Sequence, residues 1–402
     1  MAYEGAAQSL ERWIGQGLRY VVRGGERRFD LSEVLNYCVR RGRLAGDPTW
    51  DRFLAQSRNL ALEFREPEGS APPATDATGR HDGVQWRVSL RREFNVQDRQ
   101  PGSVLRLRIP IPYDDSAQEA IRVEPILPPG EQVQLRRARE SLEVRLVAAD
   151  APGTRVTLGV DVSARVYQLN RAVDAARVAP YDCQSADYAL YTRPLDGLIK
   201  LTPEVRRVAA EVAGGQDNAW RVAEAIWVYL CENLILNSIH LTELDPEDPL
   251  GWVLRHGWCD CYVGSALFVG LCRARGLPAR VVGGMCLYSS ISFFHYWAEV
   301  MIPHFGWVPM DTTSWSLAAG EAGAGYWGSF FRGRIDYRLR TQCLPNIVTG
   351  PAGIRFPYEW YLVQTFEDGE TQVAYYDLSS GALLYRDRLR VSRLAEPHAI
   401  SK

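Results

Sequence analysis

The chain has 402 residues, of which 46% are hydrophobic and 23% charged, the make-up of a globular protein long enough for two or three domains. With 46 basic against 48 acidic residues and a formal net charge of -2, it has no electrostatic bias toward nucleic acid or an anionic membrane. No stretch is long and apolar enough to span a bilayer, and the start M-A-Y-E-G-A-A-Q-S-L-E-R-W-I-G lacks the basic residues and apolar run of a secretory signal, so a cytoplasmic location is expected.

Eight cysteines without the dense regular spacing of a small secreted scaffold are expected as reduced thiols. Cys38, Cys231, Cys272 and Cys286 fall in apolar periodic segments and read as buried small hydrophobes. Cys183 and Cys343 stand in loop-like contexts.

In chain order, residues 1–65 read as a small helical preface, with apolar side chains at three- and four-residue spacings over 31–44 and 49–64. Residues 66–82, rich in Pro, Gly, Ala and Thr, form a linker. From 83 to 166 the period becomes two, in V-Q-W-R-V-S-L, V-L-R-L-R-I-P-I-P, Q-V-Q-L-R-R, L-E-V-R-L-V and R-V-T-L-G-V-D-V-S-A-R-V, broken by turn residues. That is the pattern of a β-sandwich-like domain.

Residues 167–345 form the expected catalytic core. A helix opens with Thr202 as N-cap and Pro203 at the first helical position and stops at Gly214 and Gly215. A second amphipathic helix spans 217–234, with Trp220, Val222, Ile226, Val228, Tyr229 and Leu230 as its expected buried side. The acidic T-E-L-D-P-E-D-P-L is a solvated loop, since no His or Cys stands beside it at ligand spacing, and no metal is expected. A Gly/Ala/Trp-rich segment after Asp311 is expected to cover the site. Residues 346–402 return to strand character, with E-D-G-E and S-S-G-A as hairpin turns, and are expected to pack on the core.

The chemistry concentrates between Gly257 and Asp311. Asp260 is a good N-cap, and C-Y-V-G-S-A-L-F-V-G-L-C-R-A-R-G after it is helical in length and stops at Gly276 and Pro278. This places Cys261 in the first turn, where unpaired N–H groups and the positive helix end favour a thiolate and face a developing oxyanion. Cys259 falls before the cap and lacks that help. H-Y-W-A-E-V-M-I puts His295, Trp297, Glu299 and Met301 on one strand face and Tyr296, Ala298, Val300 and Ile302 on the other. The tight reversal P-H-F-G then returns W-V-P-M-D antiparallel, bringing Asp311 toward His295. His240, His256, His304 and His398 have no such returning carboxylate, and His304 belongs at the hairpin tip.

The stretch resembles the transglutaminase-like superfamily of papain-type cysteine enzymes: Cys261, R-A-R-G-L-P-A-R at 273–280, H-Y-W-A-E-V at 295–300 and G-W-V-P-M-D at 306–311 meet its pattern in order. It departs from the pattern at Cys259, where members commonly carry Gly. The resemblance implies an α+β fold, a transglutaminase-like, papain-like core preceded by a β-sandwich-like domain and the helical preface. It also implies a triad in which Cys261 attacks an acyl carbonyl, His295 moves the proton and Asp311 orients the imidazole. Trp258, Trp297 and Trp307 are candidates for the walls of the substrate cleft.

The expected activity is cysteine-dependent acyl transfer through a thioester, needing no cofactor. The donor would be a peptide, a glutamine-like amide or a carrier-bound acyl group, and the acceptor an amine. Hydrolysis of a peptide or amide, with water as acceptor, is the second reading. A binding module that keeps the fold without catalysis is the third.

Overall fold

The structure, a computed structural model, describes residues 6–15, 18, 21–23, 26–28, 75–76, 78–95, 100–130, 132–148, 154–236, 239, 244–287, 292–314, 331–343, 360–367, 369–377 and 380–394. Its helices are α1 (Ala6–Gly15), α2 (Ala186–Tyr191), α3 (Pro203–Ala213), α4 (Ala219–Asn233), α5 (Pro249–His256) and α6 (Cys261–Ala274). The strands of the first half are β1 (Val21–Arg23), β2 (Glu26–Arg28), β3 (Arg80–Asn95), β4 (Val104–Pro110), β5 (Gln118–Ile126), β6 (Gln132–Arg137), β7 (Ser141–Val147), β8 (Arg155–Asn170), β9 (Leu195–Asp196) and β10 (Ile199–Lys200). Those of the second half are β11 (Ile235–Leu236), β12 (Trp258–Cys259), β13 (Ala279–Cys286), β14 (Phe293–Ile302), β15 (Gly306–Met310), β16 (Arg334–Ile335), β17 (Arg338–Cys343), β18 (Trp360–Glu367), β19 (Glu370–Asp377) and β20 (Leu383–Arg393).

The helices start and stop where local chemistry dictates. The Thr202 hydroxyl accepts from the Val205 N–H, Pro203 opens α3, and Gly214 ends it in the left-handed region at φ 55, which costs a glycine nothing. Asn218 caps α4 through the Trp220 and Arg221 N–H groups. The buried face of α4 is Trp220, Ala223, Ile226, Trp227 and Leu230, the three- and four-residue stripe of an amphipathic helix. Val228, expected inside, is instead exposed, because it lies off that stripe.

The chain divides into two compact units: Met1–Ala61, Val173–Ala279 and Trp297–Arg332 form the first; Leu62–Ala172, Arg280–Tyr296 and Gly333–Lys402 the second. The first holds all the described helices, with α6 buried along almost its whole length. In the second, β13 pairs antiparallel with β17, and two further sheets lie wholly within it. One is three-stranded, in the order β4-β7-β6, and the other runs β16-β8-β3-β20-β19-β18, with β5 also on β8. Leu105, Leu107, Val144 and Leu146 from the small sheet share a core with Trp86, Val88, Val160 and Val162 from the large one, as the two-residue period requires.

This division corrects the expected domains. The segment 167–345 is not one body, since Arg280–Tyr296 and residues after Gly333 belong with the β-rich unit. The C-terminal strands belong with the β-rich unit, where β20 pairs antiparallel with β3, Leu389 opposite Leu90. Asp387 accepts from Arg92 Nε at 2.5 Å and Nη2 at 2.6 Å across that pairing. The β-pattern also begins earlier than expected, at Arg80 inside the expected linker. The helices expected over 31–44 and 49–64, and the covering segment after Asp311, lie outside the described residues.

Candidate active site

Asp260 caps α6. Its backbone is extended, and Oδ1 accepts from the Val263 N–H at 2.7 Å. Cys261 is therefore the first helical residue, in a turn whose N–H groups and dipole favour a thiolate. It is partly exposed, whereas Cys259 is buried with 5% exposure. Cys259 packs under the first turn: a Cβ added at Gly264 would lie 2.8 Å from its sulfur. Burial, with the Asp260 charge adding to it, pushes the Cys259 thiol well above the usual range. The two cysteines thus take opposite environments.

The helix that presents Cys261 is fixed at its other end by Arg273. This side chain is fully buried, donating from Nε and Nη2 to the Ala279 carbonyl at 3.0 and 2.8 Å and from Nη1 to Asp196 at 3.3 Å. Asp196 also pairs with Arg193 at 2.6 Å. The β9–β10 hairpin carrying Asp196 turns at Gly197, φ 61, whose open backbone faces the Tyr262 hydroxyl. Sequence reasoning missed this brace. Its only local signal is the D-G turn at 196–197.

Asp311 follows β15 in the same unit as Cys261. It is 1% exposed, its N–H donates to the Phe331 carbonyl at 2.8 Å, and its Oδ1 accepts from the Ser314 N–H at 2.9 Å. The Cys231 thiol on α4 is pushed up by burial, then by the Asp311 charge, with Cys259 a smaller contributor. Asp311 therefore lies on the side of α4 and of the residues leading into the nucleophile helix.

His295 is 2% exposed on β14, in the second unit and two residues before Trp297, where the first unit resumes. The register of β14 with β15 pairs Ala298 with Met310, Glu299 with Pro309 and Met301 with Trp307. Alternation then sets His295, Trp297, Glu299 and Met301 on one strand face, with Trp307 and Pro309 on the matching face of β15 and Asp311 next in that alternation. His304 occupies the connecting turn at φ 70.

Two of the three candidate tryptophans have described surroundings. Trp297 is 1% exposed and packs as core on the His295 strand face. Trp307 stands four residues before Asp311, about 13 Å along a strand, and meets Tyr191 edge-on at 4.7 Å, which assigns it to the aromatic packing by the hairpin turn. Of the Trp258 side chain nothing is described. Among the described residues no group of His, Cys, Asp or Glu is arranged to hold a metal.

Residues 206–312 match the family model of the transglutaminase-like superfamily, a span that includes Cys261, His295 and Asp311. The chain carries a transglutaminase-like core. Among solved structures, a candidate cysteine protease from Cytophaga hutchinsonii is similar at 12% identity and a TM-score of 0.53, covering 79% of this chain and 93% of that one. This likeness speaks to the fold alone. The periplasmic domain of TgpA from Pseudomonas aeruginosa aligns at 16% identity, covering 64% of this chain and 99% of that one, with a TM-score of 0.31. No curated protein matches the chain. The transglutaminase-like match over 206–312 agrees with the expected α+β class.

Proposed function

We propose that this protein is a cysteine acyltransferase that forms an amide through a thioester on Cys261. The observation that carries the reading is the contrast at the helix start: Cys261 is partly exposed in the first turn of a capped, buried helix, while Cys259 is driven into the core and its thiol is held protonated. A nucleophilic thiol needs the first environment and is disabled by the second.

In this mechanism His295 takes the Cys261 proton as sulfur attacks the acyl carbonyl. The tetrahedral oxyanion is met by the Cys261 N–H. His295 returns the proton to the departing amine as the carbon–nitrogen bond breaks, leaving a thioester. An acceptor amine then gives a proton to His295 and attacks the thioester, and the thiol is released. Asp311 holds the imidazole in the productive tautomer. Water as acceptor turns the same steps into hydrolysis, which is the second reading. No cofactor enters any step. None of the seven described cysteines is in a disulfide, which suits a reducing, cytoplasmic setting.

The test compares Cys261→Ala with Cys259→Ala using peptide and acyl-thioester donors, with and without hydroxylamine, by mass spectrometry of products. Loss of turnover in the first variant alone, and a hydroxamate in place of the acid, are the expected results. Amine-independent turnover giving only acid would replace transfer by hydrolysis. Full activity in Cys261→Ala would remove the enzyme reading.

A further inference from the structure

The small sheet β4-β7-β6 gives one face to the core and the other to solvent. Leu105, Leu107, Val144 and Leu146 point inward, so alternation and register put Arg106 and Arg108 of β4, Glu143 and Arg145 of β7, and Gln134 and Arg136 of β6 on the outer face. Arg106, Arg108 and Arg136 are exposed there.

This face is short of carboxylates. Arg106 and Arg145 stand directly opposite each other, a like-charge pairing that costs a sheet stability. Arg108 lies two residues further along β4, about 6.8 Å away. The one carboxylate of the six residues, Glu143, is taken by Arg136, whose Nε and Nη2 reach its Oε2 at 2.7 and 2.6 Å. Arg145 donates to Gln134 Oε1 at 3.4 Å. Among the described residues no ion pair includes Arg106, Arg108 or Arg145. The outer arginines of the large sheet are served differently: Arg155 meets Glu93 at 3.4 Å, and Arg388 and Arg390 meet Glu370 at 3.7 and 3.4 Å. The excess of positive charge is therefore local, in a chain whose formal net charge is -2.

We propose that this face docks an acidic segment of a partner protein, extended along β4, with carboxylates at alternate residues received by Arg106 and Arg108 and with Arg145 sharing the first. Alternate side chains of an extended chain are about 6.8 Å apart, which is the spacing of Arg106 and Arg108, and a guanidinium fork receives a carboxylate through two parallel N–H···O bonds. A carboxylate placed there also offsets the repulsion between Arg106 and Arg145. Two residues before Arg106, Val104 is 45% exposed, which suits an apolar residue beside the acidic ones. None of β4, β6 and β7 contains an aromatic residue on which a nucleic-acid base could stack, and this favours carboxylates over a strand of phosphates. The docking surface does not depend on the reaction assigned to Cys261.

The experiment is fluorescence anisotropy of a short dye-labelled peptide of alternating Glu and Thr, titrated with the full chain at low and at physiological salt. The comparison probes are the same peptide with Gln for Glu, a single-stranded oligonucleotide of equal charge and phosphatidylserine vesicles. The proteins are the parent, Arg106→Gln, Arg108→Gln, Arg145→Gln and, on the large sheet, Arg388→Gln, each checked for folding by circular dichroism. The parent should bind the Glu peptide and not the Gln one, more weakly as salt rises. Each small-sheet variant should weaken binding roughly two- to fivefold, and Arg388→Gln should leave it unchanged. Urea unfolding separates docking from packing: Arg106→Gln relieves the opposed pair and should unfold at the same or a higher urea concentration than the parent while binding less. Equal affinity in the parent and the three small-sheet variants, or no preference for Glu over Gln, would overturn the proposal. Tighter binding of the oligonucleotide or the vesicles would overturn it too and give the face to that class of partner. Any one small-sheet variant suffices for the decision if the others fail to fold.

Discussion

The sulfur of Cys259 occupies the space a side chain on Gly264 would need, 2.8 Å from the position of its Cβ. The position thus excludes even alanine, although glycine costs a helix interior roughly 1 kcal/mol against alanine. The sulfur is buried and its displacement would press on packed neighbours. Gly264→Ala should destabilise the protein by about 1–3 kcal/mol, read from the urea midpoint. Cys259→Ala in the same chain should recover most of that loss, a non-additivity expected of touching residues. A Gly264→Ala variant as stable as the parent would show that Cys259 does not fill this space.

The Arg273 brace makes a second stability prediction. Arg273→Ala removes three donors from a fully buried site and leaves Asp196 with Arg193 as its remaining ion-pair partner. The expected cost is about 3–5 kcal/mol in denaturant unfolding. Arg273→Lys should fall between the two, because an ammonium cannot serve the Ala279 carbonyl and Asp196 with the same fork. A loss in Arg273→Ala below about 1 kcal/mol, typical of a surface pair, would mean that the brace carries no stability.

What the sequence disclosed was the local chemistry. Thr202, Pro203 and Gly214 bound α3, Asp260 caps α6, and His304 sits in the hairpin turn, since each is decided within a few residues by cap and turn preferences. Pairing over long separations was not legible. Nothing in S-S-G-A or L-L-Y-R-D-R-L announces that Leu389 lies opposite Leu90, because alternation fixes which face is buried and not which strand is the neighbour. The division of the chain fails for the same reason, with one unit boundary falling inside β14 between Tyr296 and Trp297. For the site, the cap was readable: Asp260 caps α6, with Cys261 in its first turn and Cys259 before the cap. Side-chain surroundings were not: Trp297 and Trp307 share a strand-face alternation with His295, yet Trp297 is buried and Trp307 meets Tyr191.

Asp260 predicts a pH dependence of stability. Its carboxyl titrates near 6 in the folded chain, raised from 3.8 by burial. The folded state therefore binds this proton more tightly than the unfolded state, and its contribution to stability falls as pH rises from about 4 to about 6, with the full cost present above that window. The cost is on the order of 2–3 kcal/mol. Asp260→Asn keeps the cap and should be more stable than the parent at pH 7, with the difference shrinking as pH falls toward 4. Thermal or urea unfolding across that range checks it, and a parent-minus-variant difference that is flat with pH contradicts it.

Asp311 offers the sharpest separation of structure from chemistry. Its Oδ1 accepts the Ser314 N–H at 2.9 Å in a site with almost no solvent. Asp311→Asn keeps the size and an acceptor for that N–H, so the unfolding midpoint should change little. The amide, however, can present a donor to the imidazole and stabilises the wrong tautomer, which in a nucleophile–base–orienter set costs about 10²- to 10⁴-fold in kcat. The same change removes the second-largest influence holding the Cys231 thiol up, so the Cys231 pKa should fall in the folded variant. The expected result is a large loss of acyl transfer, slower Cys261 alkylation and a near-parental melting curve. Near-parental turnover with the Cys231 shift present would show that Asp311 sits where described and that the imidazole does not depend on it.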